Sequence, residues 1–261
     1  MPVLADLAAE SAGLDAMVAE LEPAGWGRTT PAAGWTIAHQ IAHLAWTDRR
    51  ALMAVLDPDG FEREAEVAAA HFDTYVDLGA RRGADVAPGE LLARWRAGRA
   101  RLAEVLAAQP HGVRFRWYGP PMSAGSMATG RLMETWAHGE DVADALGVRR
   151  EPTARLRHVA RIGVRARDFA FSVHGLPAPA EEFRVELTAP DGSLWTFGPE
   201  QATQRVTGPA LDFCLLAVRR RHRDDVDLRA EGPDADAWLS VVQAFAGPPG
   251  STRPPSRGAA R

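Results

Sequence analysis

The chain has 261 residues, 46% of them hydrophobic and 25% charged, with a formal net charge of −4. At about 150 residues per domain this is one large or two small globular domains, and the balance excludes disordered, fibrous and strongly basic nucleic-acid-binding classes. All 30 basic residues are arginine and there is no Lys or Asn, which excludes Schiff-base enzymes, Walker-type phosphate loops and Ser-Lys dyads, since each needs an amine.

The first predicted helix runs from Leu4 to Leu21, where Leu4, Leu7, Leu14, Met17, Val18 and Leu21 recur at helical spacing before Pro23. Trp35-Thr36 opens a second, with Ile37, Ile41, Leu44, Leu52 and Val55 on one stripe, ended by Asp57-Pro58-Asp59-Gly60. Residues 61–83 read as helical with an acidic face, and Glu90 to Gln109 as a further helix stopped by Pro110. A loop with Trp117-Tyr118-Gly119-Pro120-Pro121 leads to a long helix from Ser123 to Gly147, weakened locally by Gly125, Gly130 and Gly139. No convincing strand interrupts this half, so an antiparallel four-helix bundle is expected over 1–150.

The second half changes period. A helix through Leu156, Val159, Ile162 and Phe169 to Gly175 precedes alternating Phe183 to Thr188, an Asp191-Gly192 turn and a return strand Leu194 to Phe197. Ala202 to Val206 reads as a third strand, and Gly208–Arg220 and Asp234–Phe245 as helices. The expectation is a two-domain α+β protein: the bundle, a small α+β domain over 151–247, and a Pro-, Gly- and Arg-rich tail at 248–261 with too little to bury to be ordered.

Chemistry concentrates in two short spacings. His39 and His43 lie four apart on the second helix, Glu134 and His138 four apart on the last bundle helix, so each pair projects from one helical face. Bundles bring such faces together, and two His with a Glu and one open position form a ligand set of catalytic zinc that also suits other divalent transition metals. The competing reading is a pair of surface or capped-core histidines, since short motifs are common by chance. Of the two, His43 sits within Ile41, Leu44 and Ala45 on the apolar stripe and is the preferred ligand; His39 is an outer partner, a fourth ligand, or simply hydrogen-bonded to a neighbour. Trp46, Trp136, Trp117 and Tyr118 either line a pocket or fill the core. The single Cys214 lies in an apolar helix, so it is read as inert, and it excludes an internal disulfide and a thiolate zinc knuckle. Met1-Pro2-Val3 with Asp6 and Glu10 behind it is unlike a signal peptide, and no run of about 18 apolar residues is present, so a cytoplasmic location without membrane partners is expected.

The runs Trp35-Thr36-Ile37-Ala38-His39-Gln40-Ile41-Ala42-His43-Leu44 and Glu134-Thr135-Trp136-Ala137-His138-Gly139-Glu140-Asp141 resemble the DinB-like, mycothiol-dependent maleylpyruvate isomerase family, with Val206 to Arg220 and Trp238-Leu239 resembling its C-terminal part. The resemblance implies a metal held by His43, Glu134 and His138, zinc first, with Asp141 either orienting a ligand histidine or a solvated helix charge. It implies mycothiol as cosubstrate and a small, carboxylate-bearing electrophile as substrate, in an isomerase or S-transferase of actinobacterial type; the absence of Lys and Asn fits a GC-rich genome. Where the family pattern has Gly-Arg, this chain has Arg219-Arg220-Arg221-His222-Arg223. Arg220 is the candidate for anion binding, against a reading of the cluster as charge at a helix C-terminus. Two further functions compete: a hydrolase or hydro-lyase using metal-bound water on a small acyl substrate, and a non-catalytic binding module stabilised by metal, which a fourth ligand at His39 would favour.

Overall fold

The computed structural model of the chain describes residues 1–250 and 253–256, the side chains of Phe72 and Asp73 excepted. Two compact units divide at 150/151. Unit 1 is helical: α1 (Pro2–Val18), the short α2 (Pro23–Trp26), α3 (Ile37–Leu56), α4 (Pro58–Ala70), α5 (Phe72–Ala84), α6 (Pro88–Ala107) and α7 (Ala124–Leu146), with a two-residue antiparallel ladder, β1 (Arg114–Phe115) and β2 (Met122–Ser123), before α7.

The helix boundaries follow local chemistry. Proline stands in the first turn of α1, α2, α4 and α6, where its missing N–H costs nothing. Thr36 caps α3 in a reciprocal box with His39, and Ser123 Oγ accepts the Ser126 N–H at the start of α7. Gly147 ends α7 with φ 68°, a left-handed cap that favours glycine. The expected single helix over 61–83 is two: His71 breaks the pattern, and Pro58 starts α4 instead of closing a turn, because Asp57 Oδ1 accepts the Gly60 N–H and caps the new helix. The ladder at 114–123 was also not expected; two residues per strand leave no alternation to read.

The apolar stripes meet in one core. Leu14 and Val18 of α1, Ile37, Ile41 and Leu44 of α3, Leu91, Leu92 and Trp95 of α6 and Val142 of α7 form a continuous buried cluster, joined by Trp26. Burying such side chains contributes about 1.5–3 kcal/mol each. α3 is central, packing on α5, α6 and α7, while α1 packs on α7. The glycine that weakens α7 at position 139 has a tertiary reason: a Cβ there would stand 2.7 Å from Arg150 Nη1. That guanidinium bonds the Trp136 carbonyl, Glu140 and the buried Glu10, tying the end of unit 1 to α1 and α7.

Unit 2 holds α8 (Leu156–Arg165), α9 (Arg167–Val173), β3 (Arg184–Thr188), β4 (Leu194–Phe197), β5 (Arg205–Pro209), α10 (Ala210–Ala217), β6 (Arg229–Glu231) and α11 (Pro233–Val241). The sheet order is β4-β3-β5-β6. β3 and β4 form the hairpin that Asp191-Gly192 predicts, β3 and β5 run parallel, and β5 pairs antiparallel with β6. The helix expected through Val173 breaks at Ala166, the third strand lies three residues later than its alternation suggests, and β6 was missed because it is only three residues long. Gly208 has φ 148°, and a Cβ there would meet the Asp227 carbonyl at 2.4 Å, so only glycine fits this strand. Part of the tail expected to be structureless, 251–252 and 257–261, lies outside the described residues. Within the rest, Arg253 donates to the Arg220 carbonyl and the Ser256 N–H to Asp225.

Candidate metal centre

α3 presents His43, and α7 presents Glu134 and His138 one turn apart. Where the two helices pack, His43 Nε2 stands 3.1 Å and His138 Nε2 3.4 Å from Glu134 Oε2. One ligand atom from each residue lies within 4.8 Å of the other two. The helices are registered one turn away by a buried pair: Arg131 Nε donates to Asp48 Oδ1 at 3.0 Å and Arg131 Nη2 to Thr47 Oγ1 at 2.5 Å.

A relay of hydrogen bonds sets the tautomer of His138. The Thr30 hydroxyl has one proton, which it gives to the Trp35 carbonyl at 3.0 Å, so its lone pairs accept Gln40 Nε2 at 2.8 Å. That fixes the Gln40 amide with Oε1 turned to His138 Nδ1, and Nδ1–H donates to it. A neutral His138 then carries its lone pair on Nε2, facing a carboxylate oxygen. Two acceptors at that separation repel unless a cation lies between them or the ring is protonated. His43 Nδ1 is buried with no partner among the described residues, leaving Nε2 as its working nitrogen. Burial acts to raise the Glu134 carboxyl, but the His138 and His43 rings, when protonated, donate to it and add positive charge, which outweighs burial and holds it well below the usual carboxylate range. The donor set therefore fits a divalent cation: two imidazoles and an ionised carboxylate, one ligand oriented from behind by an amide.

Two indoles flank the rings. Trp35 stacks on His138 at 5.9 Å and 16° and lies 5.4 Å from His43, with its Nε1 anchored on Asp77; Trp46 lies 6.1 Å from His43 on the other helical turn. They limit water at the imidazoles. Of the remaining aromatic candidates, Trp117 and Tyr118 pack on Phe61, Tyr118 also meets Tyr75, and Trp136 is buried in α7.

The other sequence candidates divide. His39 is not among the converging ligands: at the third position of α3, its Nδ1 accepts the Thr36 N–H and pairs with the Thr36 hydroxyl at 2.8 Å, so it caps its own helix. Burial first, then the charge of Arg81, lower its pKa. Asp141 is buried on α7 three residues past His138, which removes the reading of a solvated helix charge. Arg220 lies in unit 2, where its guanidinium donates to the Val218 carbonyl; Arg219 and Arg221 likewise donate to the Val241 and Arg220 carbonyls. Arg220 and Arg221 thus satisfy carbonyls just after α10, and Arg219 the carbonyl at the end of α11. Sequence reasoning missed Gln40, whose signal was a polar residue on an otherwise apolar stripe, fully buried in the fold.

A family model described as the mycothiol maleylpyruvate isomerase N-terminal domain matches residues 7–143, and one described as wyosine base formation matches residues 179–231. Two uncharacterized proteins from strains of Mycobacterium tuberculosis are each 57% identical over 252 residues, covering 97% of this chain and 98% of theirs. Crystal structures of the mycothiol-dependent maleylpyruvate isomerase and of a histidine-to-alanine mutant of it superpose with TM-scores of 0.56 and 0.57 over 89% of this chain and 94% of theirs. At 18% and 17% identity that likeness is one of fold.

Proposed function

The chain belongs to the family of the mycothiol maleylpyruvate isomerase N-terminal domain, and from that premise we propose that it is a divalent-metal-dependent enzyme that activates a low-molecular-weight thiol such as mycothiol for isomerisation or S-transfer on a small electrophile. The observation that carries this reading is the convergence of His43 Nε2, Glu134 Oε2 and His138 Nε2 with the His138 lone pair turned inward. Zinc is the first choice of metal. When bound, such a cation acts as a Lewis acid that lowers the pKa of a coordinated thiol and fixes it as a nucleophile.

The residues of the chain do the rest. Thr30 and Gln40 hold the His138 ring in the tautomer that offers Nε2, and Glu134, ionised, contributes negative charge that favours a cation. Arg131 and Asp48 keep α3 and α7 in the register on which the convergence depends. Trp35 and Trp46 cover the imidazoles with apolar surface, which strengthens electrostatics at the centre by excluding water. With His39 committed to its cap, three protein ligands leave a coordination position for an exchangeable ligand, which favours a catalytic over a purely structural centre. The long helices α1, α3, α6 and α7 are the natural four-helix bundle of this reading. Arg220 is kept as a proposed anion ligand of unit 2, and Asp141 as a proposed partner of the ligand histidines.

Elemental analysis of purified wild type beside His43→Ala, Glu134→Ala and His138→Ala tests the centre. About one divalent ion per wild-type chain, lost in each variant, is the expected result; a wild type that stays metal-free after reconstitution overturns it. Cobalt-substituted protein titrated with mycothiol distinguishes the chemistries. A sulfur-to-cobalt charge-transfer band supports thiol activation, and a spectrum that responds only to pH moves the assignment to a hydrolase or hydro-lyase using water.

A further inference from the structure

A second concave site lies in unit 1 among α3, α4, α5 and α6, a cleft of about 1190 Å³. None of the three metal-centre residues lines it. Its wall nearest the metal centre is Trp46, whose ring meets His43 on one side and Tyr75, at 5.1 Å, on the other. The cleft is larger than the roughly 300–1,000 Å³ of most small-molecule sites.

The charge around it is the reverse of the chain's. Acidic residues outnumber basic ones overall, 34 to 30, yet Arg49, Arg50, Arg63, Arg82, Arg94 and Arg101 line this cleft with, among the described residues, the single carboxylate of Glu64. Arg50 pairs with Glu64, and Arg94 and Arg101 pair with Glu90 and Glu104 on their own helix. Arg49, Arg63 and Arg82 have no ion pair within 4.0 Å among the described residues. Burial first, then the like charge of Arg50 and Arg94 against the opposing charge of Glu64, lowers the Arg49 pKa. The Arg50 guanidinium lies 4.8 Å over the Trp46 ring, and its Nε is buried with no hydrogen-bond partner among the described residues.

Between the arginines the lining is apolar. Trp46, Leu52, Leu91 and Ala97 contribute to it, and Val67 and Leu78 stand at 53% and 44% exposure beside the charged groups. Such large aliphatic side chains gain from being covered. Gly98 adds room: a Cβ built there meets nothing within 4 Å.

We propose that this cleft binds a small amphipathic anion, a molecule with an apolar body and a multiply charged phosphate or carboxylate head, at a site separate from the metal centre. Guanidinium groups recognise such heads by paired N–H donors, and a concave wall of one sign concentrates the field on a ligand that enters it. The apolar lining takes the body. A bare polyanion such as nucleic acid would use the charges and leave the lining uncovered.

Calorimetric titration of the metal-loaded protein with 1-naphthyl phosphate, inorganic phosphate and 1-naphthol tests this. Naphthyl phosphate is expected to bind at least 10-fold tighter than either half alone. The double variant Arg63→Glu, Arg82→Glu is expected to weaken it 10-fold or more, and Gly98→Phe to do the same by filling the cleft with every charge retained. Arg149→Glu, an exposed charge outside the cleft, and Glu134→Ala, titrated metal-free beside wild type stripped of metal, are expected to leave it within 2-fold. The variants are compared at matched thermal midpoints, so that loss of fold is told apart from loss of the site. No binding of naphthyl phosphate, an equal loss in Arg149→Glu, loss in Glu134→Ala, or complete displacement by single-stranded DNA at equal charge concentration would each overturn the proposal.

Discussion

Gln40 shows how one buried amide decides what a neighbouring ring can do. Its Nε2 is committed to Thr30, its Oε1 to His138, and so the proton of His138 sits on Nδ1 and the lone pair on Nε2. Removing a partner behind a ligand histidine costs about 10–100-fold in metal affinity. Gln40→Leu is therefore expected to weaken the metal by that factor in a chelator competition, with helix content unchanged, while Gln40→Glu, which keeps an acceptor for Nδ1–H, holds most of the affinity. Equal affinity in Gln40→Leu and wild type would remove the relay from the account. The proposed ligands were legible as candidates in the sequence, because a spacing of four puts Glu134 and His138 on one face whatever α7 packs against. Gln40 was not, since a glutamine on an apolar stripe acquires a role only when a second helix supplies the ring it faces. For His39 the alternatives stayed open in the sequence, and the one found is local: it bonds its neighbour Thr36 in the capping box.

At the scale of elements, the centre depends on how α3 meets α7. Arg131 and Asp48 are nearly inaccessible, at 5% and 8% side-chain exposure, and stand one turn from His43 and Glu134. Breaking a buried pair leaves a charge without a partner and costs about 3–5 kcal/mol, while replacing both members by apolar residues is far milder. Arg131→Ala is expected to destabilise by that amount in urea unfolding, and Arg131→Met with Asp48→Leu by much less. If both proteins lose metal although the double variant is stable, the pair sets register rather than merely stability. A second tie joins α1 to α6, where Arg96 and Arg99 bond Asp15. The hydrogen bond from Arg96, opposed by burial and reinforced by Arg99, lowers the Asp15 pKa. A carboxyl whose folded pKa is depressed binds its proton more readily in the unfolded chain, so its contribution is full above the unfolded value of about 3.9 and is lost as pH falls through the folded one. Asp15→Asn is expected to lower stability at pH 7 and to flatten its fall below about pH 4; thermal midpoints from pH 2.5 to 7 check this, and parallel curves for the two proteins would show that Asp15 carries no linkage.

Across the whole molecule, the helical half and the mixed half fold as compact units that meet in sequence at 150/151, and no helix among the described residues is long and apolar enough to cross a membrane. Cys214 sits in the core of unit 2, fully buried, with its thiol donating to the Leu156 carbonyl, and burial pushes its ionisation far up. The native protein is expected to resist an aromatic disulfide reagent at pH 8 and to release one equivalent of thiolate on unfolding, as a thiol without access or ionisation must. Rapid reaction of the folded chain would contradict that packing.

Periodicity by itself determined where the long helices and the β3–β4 hairpin lie, because 3.6-residue and two-residue alternation, prolines in first turns and Asp191-Gly192 act locally. Composition and spacing also singled out the candidate ligands of the proposed centre, because one Cys in an apolar helix leaves His and carboxylates as the side chains to hold a metal, and a spacing of four sets Glu134 and His138 on one face. Tertiary structure alone decided the break at His71, the parallel pairing of β5 with β3, the commitment of His39 to its cap and of Gln40 to His138, and the gathering of six arginines from four helices around one cleft. Each of these depends on partners distant in sequence or on packing between elements, and a pattern within one segment carries no record of what the segment will face.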